Sequence, residues 1–146
     1  MPDSIRVAVV IAEFNESITA GLLEGALGEL RGLGVDQPTV VRVPGAWELP
    51  VLARALARSH DCVVALGAVI EGETDHYQHV AEGAARGLQE VAVATGIPVA
   101  LGVLTARDPA HAVSRSKPGP ANKGAEAARA AVRAAEAIRA IGGEQS

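Results

Sequence analysis

Residues 67–76, Gly-Ala-Val-Ile-Glu-Gly-Glu-Thr-Asp-His, form the densest group of chemically useful side chains in this sequence. Gly72 lets the backbone turn sharply or approach a ligand closely, and Thr74 or Asp75 suits the cap of a following helix. A helix start offers free N–H groups and the positive end of the peptide dipole, which together suit a phosphate. Such a turn also serves simply to begin a helix. His76 falls in the first turn expected there, where the dipole favours the neutral ring that moves protons near pH 7. The plainer alternative is a partly exposed polar residue. His79 shares its helix face, but two histidines without a third ligand make a poor zinc site, so no metal is expected.

Aromatic residues make up only 2% of the chain: Phe14, Trp47 and Tyr77. Phe14 and Trp47 both follow strand-like runs, an arrangement that suits a stacking surface for a planar heterocycle. The alternative is that they plug the ends of the core. Arg115 precedes a proline-containing loop, and Lys123 stands beside Asn122 at the start of the last helical stretch. A buried anion needs a fixed cation, and arginine binds phosphate with two parallel hydrogen bonds. Solvated surface charge is the other reading of both.

The elements that must position these groups follow from the hydrophobic pattern. Strands are expected over 6–12, 39–43, 62–68 and 99–105, and helices over 48–58, 75–94, 109–115 and 122–141. A further helix carries Ile18, Leu22, Ala26, Leu27 and Leu30, opened by Asn15 or Ser17 and stopped by Gly32 and Gly34. Apolar, β-branched runs belong to strands buried on both faces. Right-handed crossovers then place helices on both sides of a four-stranded parallel sheet. The fold class is α/β, a flavodoxin-like three-layer αβα sandwich, with residues 1–146 read as a single domain. Ligands in such sheets collect beyond the carboxyl ends of the strands, where the segments above lie.

Composition narrows the function classes. The chain has 146 residues, 49% hydrophobic, and a net charge of −4 from thirteen basic and seventeen acidic side chains. The basic residues are scattered, which argues against nucleic acid and anionic membranes as partners. The lone Cys62 allows no internal disulfide and fits a reducing compartment. No stretch reaches the roughly 18 apolar residues of a membrane span, and residues 1–5 lack a signal-peptide pattern, so a soluble cytoplasmic protein is expected.

The run Val43-Pro-Gly-Ala-Trp-Glu-Leu-Pro50, followed by Gly67-Ala-Val-Ile-Glu-Gly-Glu-Thr-Asp-His-Tyr77, resembles the 6,7-dimethyl-8-ribityllumazine synthase family. Pro98-Val-Ala-Leu-Gly-Val-Leu-Thr105 and Asn122-Lys-Gly-Ala-Glu126 extend the resemblance over nearly the whole chain. It implies a cofactor-free condensation of 5-amino-6-(D-ribitylamino)uracil with 3,4-dihydroxy-2-butanone 4-phosphate, giving the lumazine precursor of riboflavin. It also implies a homopentamer, or a decamer or cage of pentamers, with sites between subunits, and riboflavin synthase as a further protein partner. By the same resemblance, Phe14 stacks on the pyrimidine, and Ala46, Trp47 and Glu48 contact the ring and ribityl chain. Ala68, Val69 and Ile70 hold the ring through their backbone. Glu73, Thr74 and Arg115 bind phosphate, His76 donates protons, and Lys123 and Glu126 support it.

Three positions depart from the family pattern. Leu101 stands where many members place an aromatic lent by the neighbouring subunit, so an aliphatic wall is expected. Glu71 replaces a basic residue beside the phosphate turn. The N-terminus reads as too short for the strand that members exchange. The alternatives are a recruited homologue that condenses a different amine or carbonyl, and a non-catalytic flavin- or lumazine-binding shell protein.

Overall fold

In the computed structural model, which describes residues 4–72 and 76–145, the strands β1 (Val7–Ala12), β2 (Thr39–Val43), β3 (Cys62–Ile70) and β4 (Val99–Ala106) form one parallel sheet. Their order, β2-β1-β3-β4, is the doubly wound order in which the chain reverses direction between β1 and β3. The helices are α1 (Glu16–Gly32), α2 (Leu49–Ala57), α3 (Tyr77–Thr95), α4 (Pro109–Ser116) and α5 (Lys123–Gln145). No helix among the described residues is long and apolar enough to cross a membrane.

Period-two alternation divides the core between the two faces of the sheet. Val7, Val9 and Ile11 of β1, with Val64 and Leu66 of β3, pack under α1, α4 and α5. Ala8, Val10 and Ala12, with Val63 and Ala65, pack under α2 and α3. Every residue of β1 and β3 is buried, as apolar runs without polar interruption require. Cys62 lies in this core, where burial first and the nearby Asp61 charge second push its thiol up to about 12.

With so few aromatics, small residues set the helix spacing. Ala127, Ala128, Ala131 and Ala135 of α5 are all buried, and a Cβ at Gly124 would collide with the backbone of Leu22 in α1. Asn122, only 1% exposed, ties this contact together. Its Nδ2 donates to the carbonyls of Gly21, Ser116 and Lys117 at 3.1, 3.1 and 3.0 Å, while its Oδ1 accepts the Ala125 N–H at 3.0 Å. One side chain thus caps α5 and fixes both α1 and the loop that leaves α4.

The observed elements differ from the sequence expectation in three places that matter. β3 continues through Ile70 instead of ending at Ala68, because β-branched Val69 and Ile70 extend the apolar run and β4 pairs with them to Ala106. α3 begins at Tyr77 instead of Asp75, so His76 is its N-cap and precedes the first turn. α2 likewise starts one residue late, after a 3-10 turn over Ala46–Glu48.

Replacing Asn122 with alanine leaves buried carbonyls without a donor and removes the cap. We expect Asn122→Ala to destabilise the fold by about 3 kcal/mol in urea titration, and Asn122→Asp, which turns an acceptor toward those carbonyls, to cost at least as much.

Candidate active site

The two central strands end at different heights. The last β1–β3 partners are Ile11 and Leu66, whereas β3 and β4 remain paired to Ile70 and Ala106. Beyond Ala12 the chain leans the other way: Glu13 N–H donates to Val43 O at 2.8 Å and Phe14 N–H to Pro44 O at 3.1 Å. Residues 67–70 of β3 therefore overhang β1, and their backbone edge on that side has no strand to pair with.

Asn15 bridges this gap. It adopts a left-handed conformation, φ 68, the only positive φ outside glycine among the described residues. Asparagine tolerates that region better than most side chains. Instead of capping α1, its Nδ2 reaches across to donate to Ala68 O at 3.0 Å. The turn so formed leaves Phe14 59% exposed, facing the overhang.

Phe14, Pro44, Gly45, Ala46, Trp47, Glu48, Ala68, Val69, Ile70 and Val80 enclose a pocket of about 310 Å³ at the carboxyl end of the sheet. Trp47 is 62% exposed on the 3-10 turn that follows β2, and Val80 comes from the first turns of α3. Glu48 is held in place because its Oε1 accepts the Gly45 N–H at 2.9 Å. The result is an apolar slot with aromatic side chains, an edge of backbone groups and one oriented carboxylate, a combination suited to a flat ring bearing a polar tail. The structure thus brings together Phe14, Ala46, Trp47, Glu48, Ala68, Val69 and Ile70.

The remaining candidates lie elsewhere. His76 is exposed and is not among the described residues that line the pocket; its ring centroid is 6.5 Å from that of His79. Glu73 and Thr74 lie outside the described residues. Arg115, exposed in the last turn of α4, and Lys123 and Glu126, at the start of α5, belong to the opposite helical layer and do not line the pocket. Lys123 Nζ donates to Glu126 Oε1 at 3.3 Å. Leu101 is 45% exposed on the outer strand β4, level with Ala65, and so does not reach its own chain's pocket. Glu71 faces Arg107, whose Nε is 3.6 Å from Glu71 Oε2, so its negative charge is partly offset.

Sequence reasoning missed Asn15 as a bridge, and Pro44, Gly45 and Val80 as lining. The sequence offers Asn15 only as a possible cap of α1. Its unusual φ and its bond to β3 depend on how far β3 outruns β1, which local pattern does not reveal.

The chain matches the family model described as 6,7-dimethyl-8-ribityllumazine synthase over residues 4–139. It is 46% identical over 140 residues to the 6,7-dimethyl-8-ribityllumazine synthase of Streptomyces avermitilis, an alignment covering 94% of this chain and 87% of that protein. The protein of the same name from Streptomyces coelicolor is 44% identical over 140 residues, with the same coverage of both chains.

Two costs separate at Asn15. We expect Asn15→Gly to lose only the bond to Ala68, about 1 kcal/mol, and Asn15→Ala to lose about 2 kcal/mol because alanine is also strained at positive φ. Urea titration of the two variants checks the order; equal stabilities would show that the backbone strain is absent.

Proposed function

The chain belongs to the 6,7-dimethyl-8-ribityllumazine synthase family, and from that premise we propose how its residues divide the family's reaction among themselves. The enzyme condenses 5-amino-6-(D-ribitylamino)uracil with 3,4-dihydroxy-2-butanone 4-phosphate to give 6,7-dimethyl-8-ribityllumazine in riboflavin biosynthesis. The observation that carries the assignment of residues is the overhang pocket, where an aromatic wall stands opposite an unpaired strand edge.

In this assignment Phe14 stacks on the pyrimidinedione. The backbone of Ala68, Val69 and Ile70 offers the N–H and C=O groups that the alternating polar edge of a uracil requires. Ala46, Trp47 and Glu48 take the ring margin and the ribityl chain, with the carboxylate of Glu48 accepting from hydroxyls.

The chemistry is then proton traffic around neutral heteroatoms and one leaving anion. The uracil's primary amine attacks the ketone, and water departs as the imine forms. Loss of a proton from the adjacent carbon expels phosphate. The ribityl-bearing nitrogen then closes the ring onto the carbonyl that results, and a second water leaves. His76 at the N-cap of α3 is assigned the proton transfers, supported by the Lys123–Glu126 pair. Glu73, Thr74 and Arg115 are assigned to the phosphate, which a planar guanidinium and a helix start suit.

The same proposal extends to assembly. Leu101 from a neighbouring subunit would close the open side of the pocket in a homopentamer or a multiple of one. Its exposure on the outer strand, together with that of Val93 on α3, supports a side-by-side packing. We place this single-domain chain in the cytoplasm, with riboflavin synthase among its partners.

We expect Arg115→Ala to raise KM for the phosphate substrate about tenfold and leave KM for the pyrimidine within about twofold. Equal rises in steady-state assays with each substrate varied would remove Arg115 from the phosphate site. We expect His76→Ala to lower kcat by about a hundredfold without abolishing turnover, since binding and orientation persist. An unchanged kcat, followed by the absorbance of the lumazine product, would remove His76 from the proton transfers.

A further inference from the structure

Trp47 is mostly exposed, yet one part of its ring is firmly seated. The six-membered ring of the indole lies on α3 at Gly83, where an added Cβ would stand 3.2 Å from Cε3 and from Cη2 and closer still to Cζ3. Gly83 is in the interior of α3, a position where glycine is a poorer helix former than alanine. Its φ is not in the positive region, so backbone conformation does not call for glycine here. What the missing Cβ provides is room for the indole. Val80, one turn earlier on the same helix, lines the pocket itself. The surface of α3 thus supports Trp47 at Gly83 and meets the ligand space at Val80.

We propose that Gly83 is a positioning residue for the pyrimidine site: it sets the angle at which Trp47 leans away from the pocket, and so the width of the slot between Trp47 and Phe14. Any side chain at Gly83 lifts the indole off α3. The atoms in contact are at the far end of an exposed side chain, so the indole yields and the helix does not. The inference rests on the assignment of Trp47 to the substrate, and it adds a specific cause for that side chain's position. It also makes the two residues interdependent, because the contact involves the six-membered ring that tryptophan carries beyond the reach of phenylalanine.

Trp47 is the only tryptophan in the chain, so the fluorescence of the ligand-free protein reports on this contact without interference. The test uses the full-length protein, wild type and Gly83→Ala, each also in a Trp47→Phe background. Gly83→Ala is expected to shift the tryptophan emission and its acrylamide quenching, and to raise KM for the pyrimidine about tenfold at nearly constant kcat, the pattern of lost uniform binding. Its thermal midpoint should not fall, since alanine favours the helix. In the Trp47→Phe background the same substitution should leave KM unchanged. Unaltered emission and quenching, or an equal KM rise in the Trp47→Phe background, would overturn the positioning role. A shifted emission with unchanged KM would overturn the link to the reaction and would place the fault in the assignment of Trp47 to substrate. Gly83→Ser serves as a second variant with the same expected readouts.

Discussion

The site depends on one mismatch of strand length. β1 stops pairing with β3 at Leu66, and β3 runs on to Ile70 under the protection of β4. Backbone groups at the centre of a protein must find partners, and a fully buried strand cannot turn its edge to water without opening the core. The overhang therefore has two consequences. Asn15 supplies a side-chain amide at Ala68, and the rest of the edge opens into a pocket. The same leaning of residues 13–14 toward β2 that exposes the edge also sets Phe14 opposite it. A single difference in where two neighbouring strands end thus produces the aromatic wall, the polar edge and the space between them.

The second constraint is volume. An interior filled by alanine, valine and leucine lets helices approach closely, and α1 and α5 touch through Gly124 and the backbone of Leu22. Close helices leave little room for water around buried polar groups, so the ends of those helices need protein partners. Asn122 meets that need with bonds to three carbonyls and one N–H. No aromatic ring is fully buried in the core, only the partly buried Tyr77 packs against it, and at the site both Phe14 and Trp47 border the pocket. Aromatics are large enough to bury substantial area on a ligand at low cost in side-chain freedom, so a few of them suffice.

Much of this was legible in the sequence because it depends on local pattern. β2 was expected over 39–43 and lies there; the apolar runs of β1 and β3 marked the buried centre; α1 ends at Gly32, with Gly34 at positive φ just beyond it. The two aromatic loops were recognisable by their place after strands, and the structure unites them with Ala68, Val69 and Ile70 in one pocket. What was not legible depends on contacts between distant residues. The bond from Asn15 to Ala68 spans 53 positions, and that from Asn122 to Gly21 spans 101. Nothing in the local pattern of α3 marks Gly83, because the ring of Trp47 that rests on it comes from a different loop. The ion pair of Glu71 with Arg107 is equally hidden from local pattern, because Arg107 follows the end of a different strand.

The separation of apolar pocket from charged residues has a mechanistic logic. A ring held by stacking and backbone hydrogen bonds needs low polarity around it, since water competes for the same donors and acceptors. A phosphate needs the reverse, fixed positive charge with access to solvent for the departing anion. In the proposed assignment the ring is held by Phe14, Trp47 and the β3 edge on the α2–α3 side, while Arg115 of α4 and Lys123 of α5 stand on the other side of the sheet. His76 stands at the N-cap of α3, the helix that also sends Val80 into the pocket. In the proposed assignment that helix is the link between the two halves: its start meets the leaving phosphate, its first turns border the ring, and its interior glycine carries the indole. In that assignment proton transfer from one end of α3 and ring alignment along it share a single rigid element, so a change in the width of the slot at Gly83 loosens the hold on the ring without moving His76.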